Sequence, residues 1–584
     1  MSVFVNQLGF YERGEKRAIL PFECRQFWLI NEAGDVCHEG ETQEFGYDKA
    51  SGDQVTVADF SAFTTPGKYR VKAARAVAES DQKSVSVEYS PWFEIGPYVY
   101  DKLGHDLMKA YYYLRCGCDL TEEYAGRYVH KACHVGKTVL WEDHDAVIEA
   151  TGGWHDAGDY GRYITAGACA LAHLLYAWRM YPEAFEGKSY HIPESGNGVP
   201  DILNECRYEL EWFLKMQRAD GGVYHKLTTA RHAAFVMPEK DLEQLYALPV
   251  SSSATADHAA ICAMAAMTYR PYDAEFSERL EKAAKRSYGW LKAHPEFLGF
   301  RNPPGCGTGE YGEWDDGSNR FWAAAEMYSL TGEKSYHDDL KMLLHEKKFP
   351  GMALGYVEVG GFGILAYLLS KQGKSADLMA RFFREIVKDA AQRVRTSEEC
   401  GYGVALAEWE YGWGSNMGVM RHGMSFAIAD YFGLEEKVKE AAKTIGMPER
   451  FVWPGHSVEP YVQGPRERRG WSMRDHAAAE LDYLMGCNAL GISYVTGNGE
   501  NAYRYPHLRP AHADGIEECM PGMVSGGPNR HRQDAKAREV IPEGTPGMKS
   551  FADEYEAYSL NEITIYWNSP AVFTLAYLTS KESR

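Results

Sequence analysis

GGWHDAGDYGRY, residues 152–163, sets Asp156 and Asp159 three positions apart on a glycine-broken turn, with His155 directly before the first of them. Two carboxylates so close repel each other. They can nevertheless share one water, one accepting its proton while the other orients it, if hydrogen bonds relieve the repulsion. The same spacing also occurs at helix starts and in calcium loops, so the pair alone leaves both readings open.

Upstream, Cys116, Cys133 and His134 stand in CGC and KACHVG, and with His155 they make Cys-x16-Cys-His-x20-His. Two thiolates and two imidazoles suit a closed tetrahedral zinc site, structural because no ligand position is left for water. Such a metal would anchor the loop carrying both aspartates. Cys118, His130 and His144 lie close enough in sequence to be alternative ligands.

Further outward the apolar period changes. Residues 2–97 read as short alternating strands parted by Gly, Asp and Pro turns, the pattern of a small antiparallel sandwich. After Gly96 the spacing becomes helical, over 98–115, 165–180, 200–217, 254–270, 277–294, 318–330, 336–346, 361–371, 376–394, 416–432, 435–445, 471–485 and 562–579. Helices in unbroken succession, without a fixed repeat, point to hairpins closed into a ring. The stretches 135–161, 299–317 and 486–554 are too long for plain connections and are expected to form one rim of its cavity.

The chain has 584 residues, 45% of them apolar, with 39 tyrosines and 14 tryptophans, enough for a large core and a binding cleft. Its 82 acidic against 62 basic residues give a formal charge of −20, which disfavours nucleic acid and anionic membrane as partners. No basic segment leads into an apolar run at the N-terminus, and no stretch reaches the roughly 18 apolar residues of a membrane span. A cytoplasmic location is expected, and twelve scattered cysteines suit a reducing compartment.

TGGWHDAGDYGRY closely resembles the signature of glycoside hydrolase family nine, whose members are mostly cellulases. VFVNQLGF, YYYLRCG, YGWGSN, NALGISYVTGNG, YPHLRPAH and SLNEITIYWNSPAVF match further family blocks in order. The resemblance implies a mainly α fold. It would be an (α/α)6 barrel of residues 97–584 behind a small N-terminal immunoglobulin-like β-sandwich of residues 1–96. It also implies an inverting hydrolase in which Asp159 is the general base, Asp156 helps hold the water and Glu562 is the general acid. An inverting glycosidase needs its acid and base on opposite sides of the sugar. Only a closed ring brings Glu562 back to Asp159.

His507 and Arg509 match a family His-x-Arg pair that contacts sugar, although Leu508 replaces a usual histidine. Trp567 and Trp413 stand where aromatic residues would line the cleft. Some members carry zinc near this loop, on positions resembling the four named above. Calcium is frequent in the family, but no ligand cluster for it is assigned here. Within the family, a cytoplasmic enzyme would meet short β-linked oligosaccharides, and Glu142, Asp143 and Asp145 could pair with a sugar ammonium group. The expected activity is therefore an exo-β-D-glucosaminidase acting on chitosan oligosaccharides. A β-glucosidase or endoglucanase acting on cellodextrins is the alternative, and a non-catalytic sugar-binding protein a more remote one.

Overall fold

A computed structural model describes residues 3–79, 82–346, 351–446 and 470–580; Ser2, the first residue of the expected sandwich, lies outside them. The N-terminal strands run Gly9–Phe10, Arg17–Leu20, Gln26–Asn31, Val36–Tyr47, Gln54–Asp59, Gly67–Glu79, Gln82–Tyr89 and Phe93–Ile95. Val36–Tyr47 carries the architecture. Its first half pairs antiparallel with Gln26–Asn31 and its second half with Gln54–Asp59, so one strand passes from one layer to the other. The side chains turned inward, among them Val5, Phe10, Leu20, Phe27, Leu29, Phe60, Val71 and Phe93, form a core of their own. Phe10 meets Phe60 and Phe93 edge-on at 5.4 Å each.

Six helices are buried along almost their whole surface: Ile164–Met180, Ser252–Tyr269, Gly317–Thr331, Gly360–Leu369, Ser415–Tyr431 and Ile565–Thr579. Apolar or small on every side, they can exist only as the inner wall of a larger assembly. Asp101–Tyr113, Asp201–Lys215, Ala274–Ala293, Lys334–Glu346, Ala376–Glu398 and Met473–Leu484 alternate with them in sequence. Ile565–Thr579 packs against both Ile164–Met180 and Ser415–Tyr431, so the last inner helix closes the ring on the first. This is the expected (α/α)6 barrel with a β-sandwich before it. Among the described residues no helix is long and apolar enough to cross a membrane.

Two features differ from the sequence reading. The stretch 135–161 is not simply loop: Thr138–Leu140 and Asp143–Ile148 pair as a hairpin. They join Tyr246–Ala247, Lys226–Thr228 and Arg162–Tyr163 in a five-stranded sheet. These strands are two to six residues long and pair segments up to about a hundred positions apart, so local alternation scarcely marks them. The last helix starts at Ile565 rather than at 562. Thr564 caps it, its side chain accepting from Trp567 N–H at 3.1 Å, and Glu562 stands before the helix in extended conformation.

Candidate active site

The loop before Ile164–Met180 is fixed from both sides. Its backbone meets the segment before the last inner helix: Ala157 bridges Thr564, and Ile565 N–H donates to Asp156 O at 2.8 Å. His507 bridges Glu562, while Arg509 donates from its backbone N–H (3.1 Å) and from Nη1 (2.7 Å) to Gly158 O. Residues 156–158, 507–509 and 562–564 thus lie side by side, although the first segment precedes the other two by roughly 350 to 400 positions. Gly158 permits this approach, because a Cβ there would fall 2.0 Å from His507 O. From behind, Glu209 accepts from Trp154 N–H at 2.6 Å and Glu205 from Trp154 Nε1 at 2.9 Å.

The three carboxyl groups are tuned in different directions. Burial alone would raise Asp159, but the His232 imidazole, 3.2 Å from Oδ2, opposes it together with Arg509 and the Gly161 N–H. The result is a carboxyl held below the ordinary range. Asp156 is raised by burial and by Asp159, while the Tyr311 hydroxyl donating to its Oδ2 at 2.6 Å pulls the other way. Its buried Oδ1 has no partner among the described residues. Glu562 is raised well above the ordinary range, first by burial and then by Asp159 and Asp156, with Arg509 opposing. Two carboxyls in one cavity with opposite shifts are the arrangement that an acid–base pair requires.

Asp156, Asp159 and Glu562 line one cavity of about 990 Å³, the upper end of the size range for ligand sites. His507, Arg509, Trp413 and Trp567 line it too, as do Tyr311, Tyr356 and Tyr566. Trp413 is 45% exposed, whereas Trp567 is buried. Burial holds His507 at about 4, hence neutral near pH 7. All three long stretches reach the cavity, through Asp156 and Asp159, through Gly309 to Tyr311, and through His507 and Arg509.

Asp143 and Asp145 are not brought to it. Both are exposed on the rim hairpin and neither lines the cavity, which corrects their expected place beside the sugar. Conversely, Tyr311 and His232 went unnoticed in the sequence. Tyr311 sits in the long stretch 299–317 with a left-handed backbone (φ 50°), a strained state for a bulky residue. The length of that stretch is the only local hint of it.

Cys116, Cys133, His134 and His155 converge. Their ligand atoms all lie within 4.8 Å of one another, with Cys116 Sγ 3.9 Å from Cys133 Sγ and 3.7 Å from His134 Nδ1. Cys133 Sγ lies 3.7 Å from His155 Nε2. Tetrahedral zinc at about 2.3 Å from sulfur and about 2.0 Å from nitrogen sets neighbouring ligand atoms roughly 3.3–3.8 Å apart, so the donor set fits. Asp241 Oδ2, 3.3 Å from His134 Nε2, supplies the outer carboxylate that orients a ligating imidazole. His134 also has a left-handed backbone (φ 52°). Cys118, His130 and His144 stand outside this cluster: His130 is engaged with Lys131 O at 2.8 Å and His144 lies over the Tyr246 ring.

Residues 100–575 match Glycosyl hydrolase family 9, and residues 1–78 match the Cellulase N-terminal ig-like domain. A cellodextrinase from Butyrivibrio fibrisolvens is 41% identical, over 98% of this chain and 99% of its own. A single mutant of a thermostable endoglucanase from Alicyclobacillus acidocaldarius superposes with a TM-score of 0.85 at 32% identity, covering 99% of each chain. A Zn-binding triple mutant of endoglucanase J30 gives 0.83 at 30% identity, over 97% of this chain and 99% of that one. With the family match spanning most of its length, the chain is a member of glycosyl hydrolase family 9, a glycoside hydrolase.

Proposed function

We propose that this enzyme hydrolyses β-1,4-linked glucan oligosaccharides, cellodextrins foremost, with inversion at the anomeric carbon. The carrying observation is the pair in one cavity, the Asp159 carboxyl pulled below its ordinary range by His232 and Arg509 and the Glu562 carboxyl pushed above it by burial. Glu562 gives its proton to the glycosidic oxygen as the bond to the anomeric carbon breaks. Asp159 takes a proton from the water that attacks the same carbon from the opposite face. Asp156, its Oδ2 tied to the Tyr311 hydroxyl, helps to hold that water. Proton count balances: one leaves Glu562, one reaches Asp159.

The cellodextrin reading replaces the glucosaminidase expected from the sequence. The near full-length relative at 41% identity is a cellodextrinase, and the acidic residues invoked to choose an ammonium group stand outside the cavity. Purified enzyme is tested on cello-oligosaccharides against chitosan oligosaccharides, with the anomer of the first product followed by proton NMR. A glucosaminide rate tenfold above the glucoside rate, or initial release of the β-anomer, overturns the proposal. Binding without any product would favour the sugar-binding alternative.

In the same reading Cys116, Cys133, His134 and His155 hold a structural zinc. It would supply rigidity to the loop bearing Asp156 and take no part in proton transfer. Elemental analysis of gently purified protein tests this: about one equivalent of zinc is expected.

A further inference from the structure

Tyr311, Tyr356 and Tyr566 line the catalytic cavity with their rings packed on one another. Tyr356 lies 5.0 Å from Tyr311 and 5.3 Å from Tyr566 between centroids, and Tyr311 lies 6.1 Å from Tyr566. Their hydroxyls are not equally employed. Tyr311 commits its one proton to Asp156 Oδ2 at 2.6 Å, so toward Tyr566 its oxygen can only accept. The Tyr566 hydroxyl stands 3.4 Å from it, beyond the roughly 2.5–3.0 Å of a well-formed O–H···O bond. Tyr356 is freer still: its hydroxyl has no hydrogen-bond partner among the described residues.

The chain fixes where these hydroxyls stand. Tyr566 is the second residue of the inner helix Ile565–Thr579, whose first N–H, that of Ile565, is bonded to Asp156 O at 2.8 Å. Its side chain reaches Tyr311, and Tyr311 reaches Asp156 Oδ2. The Tyr566 hydroxyl is therefore no farther from that carboxylate than these two contacts laid end to end. Asp156, in the function proposed above, helps to hold the water that attacks the anomeric carbon, and reacting atoms meet at about 3–3.5 Å. The sugar carrying that carbon is the one within reach of Tyr566, and of Tyr356 packed against it.

A phenol both donates and accepts a hydrogen bond, as a sugar hydroxyl does. Burial keeps both phenols neutral, with Tyr356 pushed up to about 12 and Tyr566 well above its ordinary value. They add no charge to a wall that already carries Asp156, Asp159 and Glu562. Polar groups of this kind, few and placed on an aromatic wall, fix the orientation of a ligand in its cavity.

We propose that Tyr356 and Tyr566 are specificity-determining residues whose hydroxyls bind hydroxyl groups of the glucose unit that carries the reacting anomeric carbon. This rests on the function proposed above. Every substrate places a sugar there, so the contribution is the same for short and long cellodextrins. A group binding a distant sugar acts on the long ones alone.

The test is kcat/KM of wild type, Tyr356→Phe and Tyr566→Phe on cellotriose to cellohexaose, with the melting temperature of each. Each variant should lose about three- to tenfold, by the same factor at every chain length, because one neutral hydrogen bond is removed from a ring that stays. A second arm uses nitrophenyl β-cellobiosides, intact or lacking the 2-, 3- or 6-hydroxyl of the nitrophenyl-bearing glucose. Release of nitrophenol fixes that glucose at the point of cleavage. On one deoxy substrate the loss in each variant should shrink to about twofold or less, since the partner is already missing. Unchanged rates, or a loss that grows with chain length, overturn the assignment. An equal loss on every intact and deoxy glycoside does so too, and leaves the pair a packing wall. The wild type decides even if a variant does not fold: no loss at any of the three hydroxyls sinks the proposal. Wild-type failure on every cellodextrin and cellobioside falls instead on the function proposed above.

Discussion

Residues 154–163 and residues 561–565 reach the same cavity from distant parts of the chain, and they hold their carboxyl groups by opposite means. The first segment is over-determined: two buried glutamates grip Trp154, two thiols and a second imidazole gather around His155, and Gly158 and Gly161 leave no room for a Cβ. The second is held through its backbone, by bridges to residues 157 and 507 and by the Thr564 cap. The difference suits the two tasks. In the roles proposed, Asp159 must stay ionised, and donors surround it; Glu562 must stay protonated, and it has burial and neighbouring acids.

Removing either partner is the most drastic way to break this asymmetry. Glu562→Gln and Asp159→Asn should each lower kcat by about 10²–10⁴-fold with an unchanged circular dichroism spectrum. Near-wild-type turnover in either variant sinks the assignment. Next in size is the contact between the segments. Gly158→Ala drives a Cβ into His507 O and should lower kcat/KM about 10²-fold through misplacement of the pair. Gly136→Ala, into open space on the same stretch, should change nothing. Tyr311→Phe removes the hydroxyl donated to Asp156 and should cost roughly tenfold in kcat.

The pH profile sharpens the same contrast. Activity needs Glu562 protonated, so its raised value places the alkaline limb above the ordinary carboxylate range. Activity also needs Asp159 ionised, so its lowered value keeps the acid limb below that range. His232→Ala removes the foremost opposing cause at Asp159 and should move the acid limb of kcat/KM to higher pH while sparing the alkaline one. The smallest effect on turnover concerns the metal's outer support. Asp241→Asn should weaken zinc binding about 10–100-fold in a chelator competition, yet leave kcat within about twofold when zinc is saturating.

Much of this architecture was legible from local pattern. A stretch such as ITAGACALAHLLYAWRM is apolar or small all round, which by itself demands an inner position, and DAGDYG with NE, through the family resemblance, singles out three carboxylates that share one cavity. The four residues of the His155 cluster also stand out by residue type and spacing, because soft thiolates and imidazoles in that number have few other joint uses. The rim sheet was not legible: its strands are as short as two residues and find their partners far along the chain. That is why Asp143 and Asp145 were misplaced. Adjacency in sequence to the catalytic loop said nothing about which side of a hairpin they would occupy.

The amino-acid sequence determined the order of the elements and the two core periods, since these depend on residue type and near neighbours. Tertiary structure alone decided that His232 and Tyr311 hold the aspartates. It alone also set the Asp159 and Glu562 carboxyls on opposite sides of their usual range. Those outcomes depend on burial and on charges contributed by segments hundreds of residues away, and such fields exist only once the ring has closed.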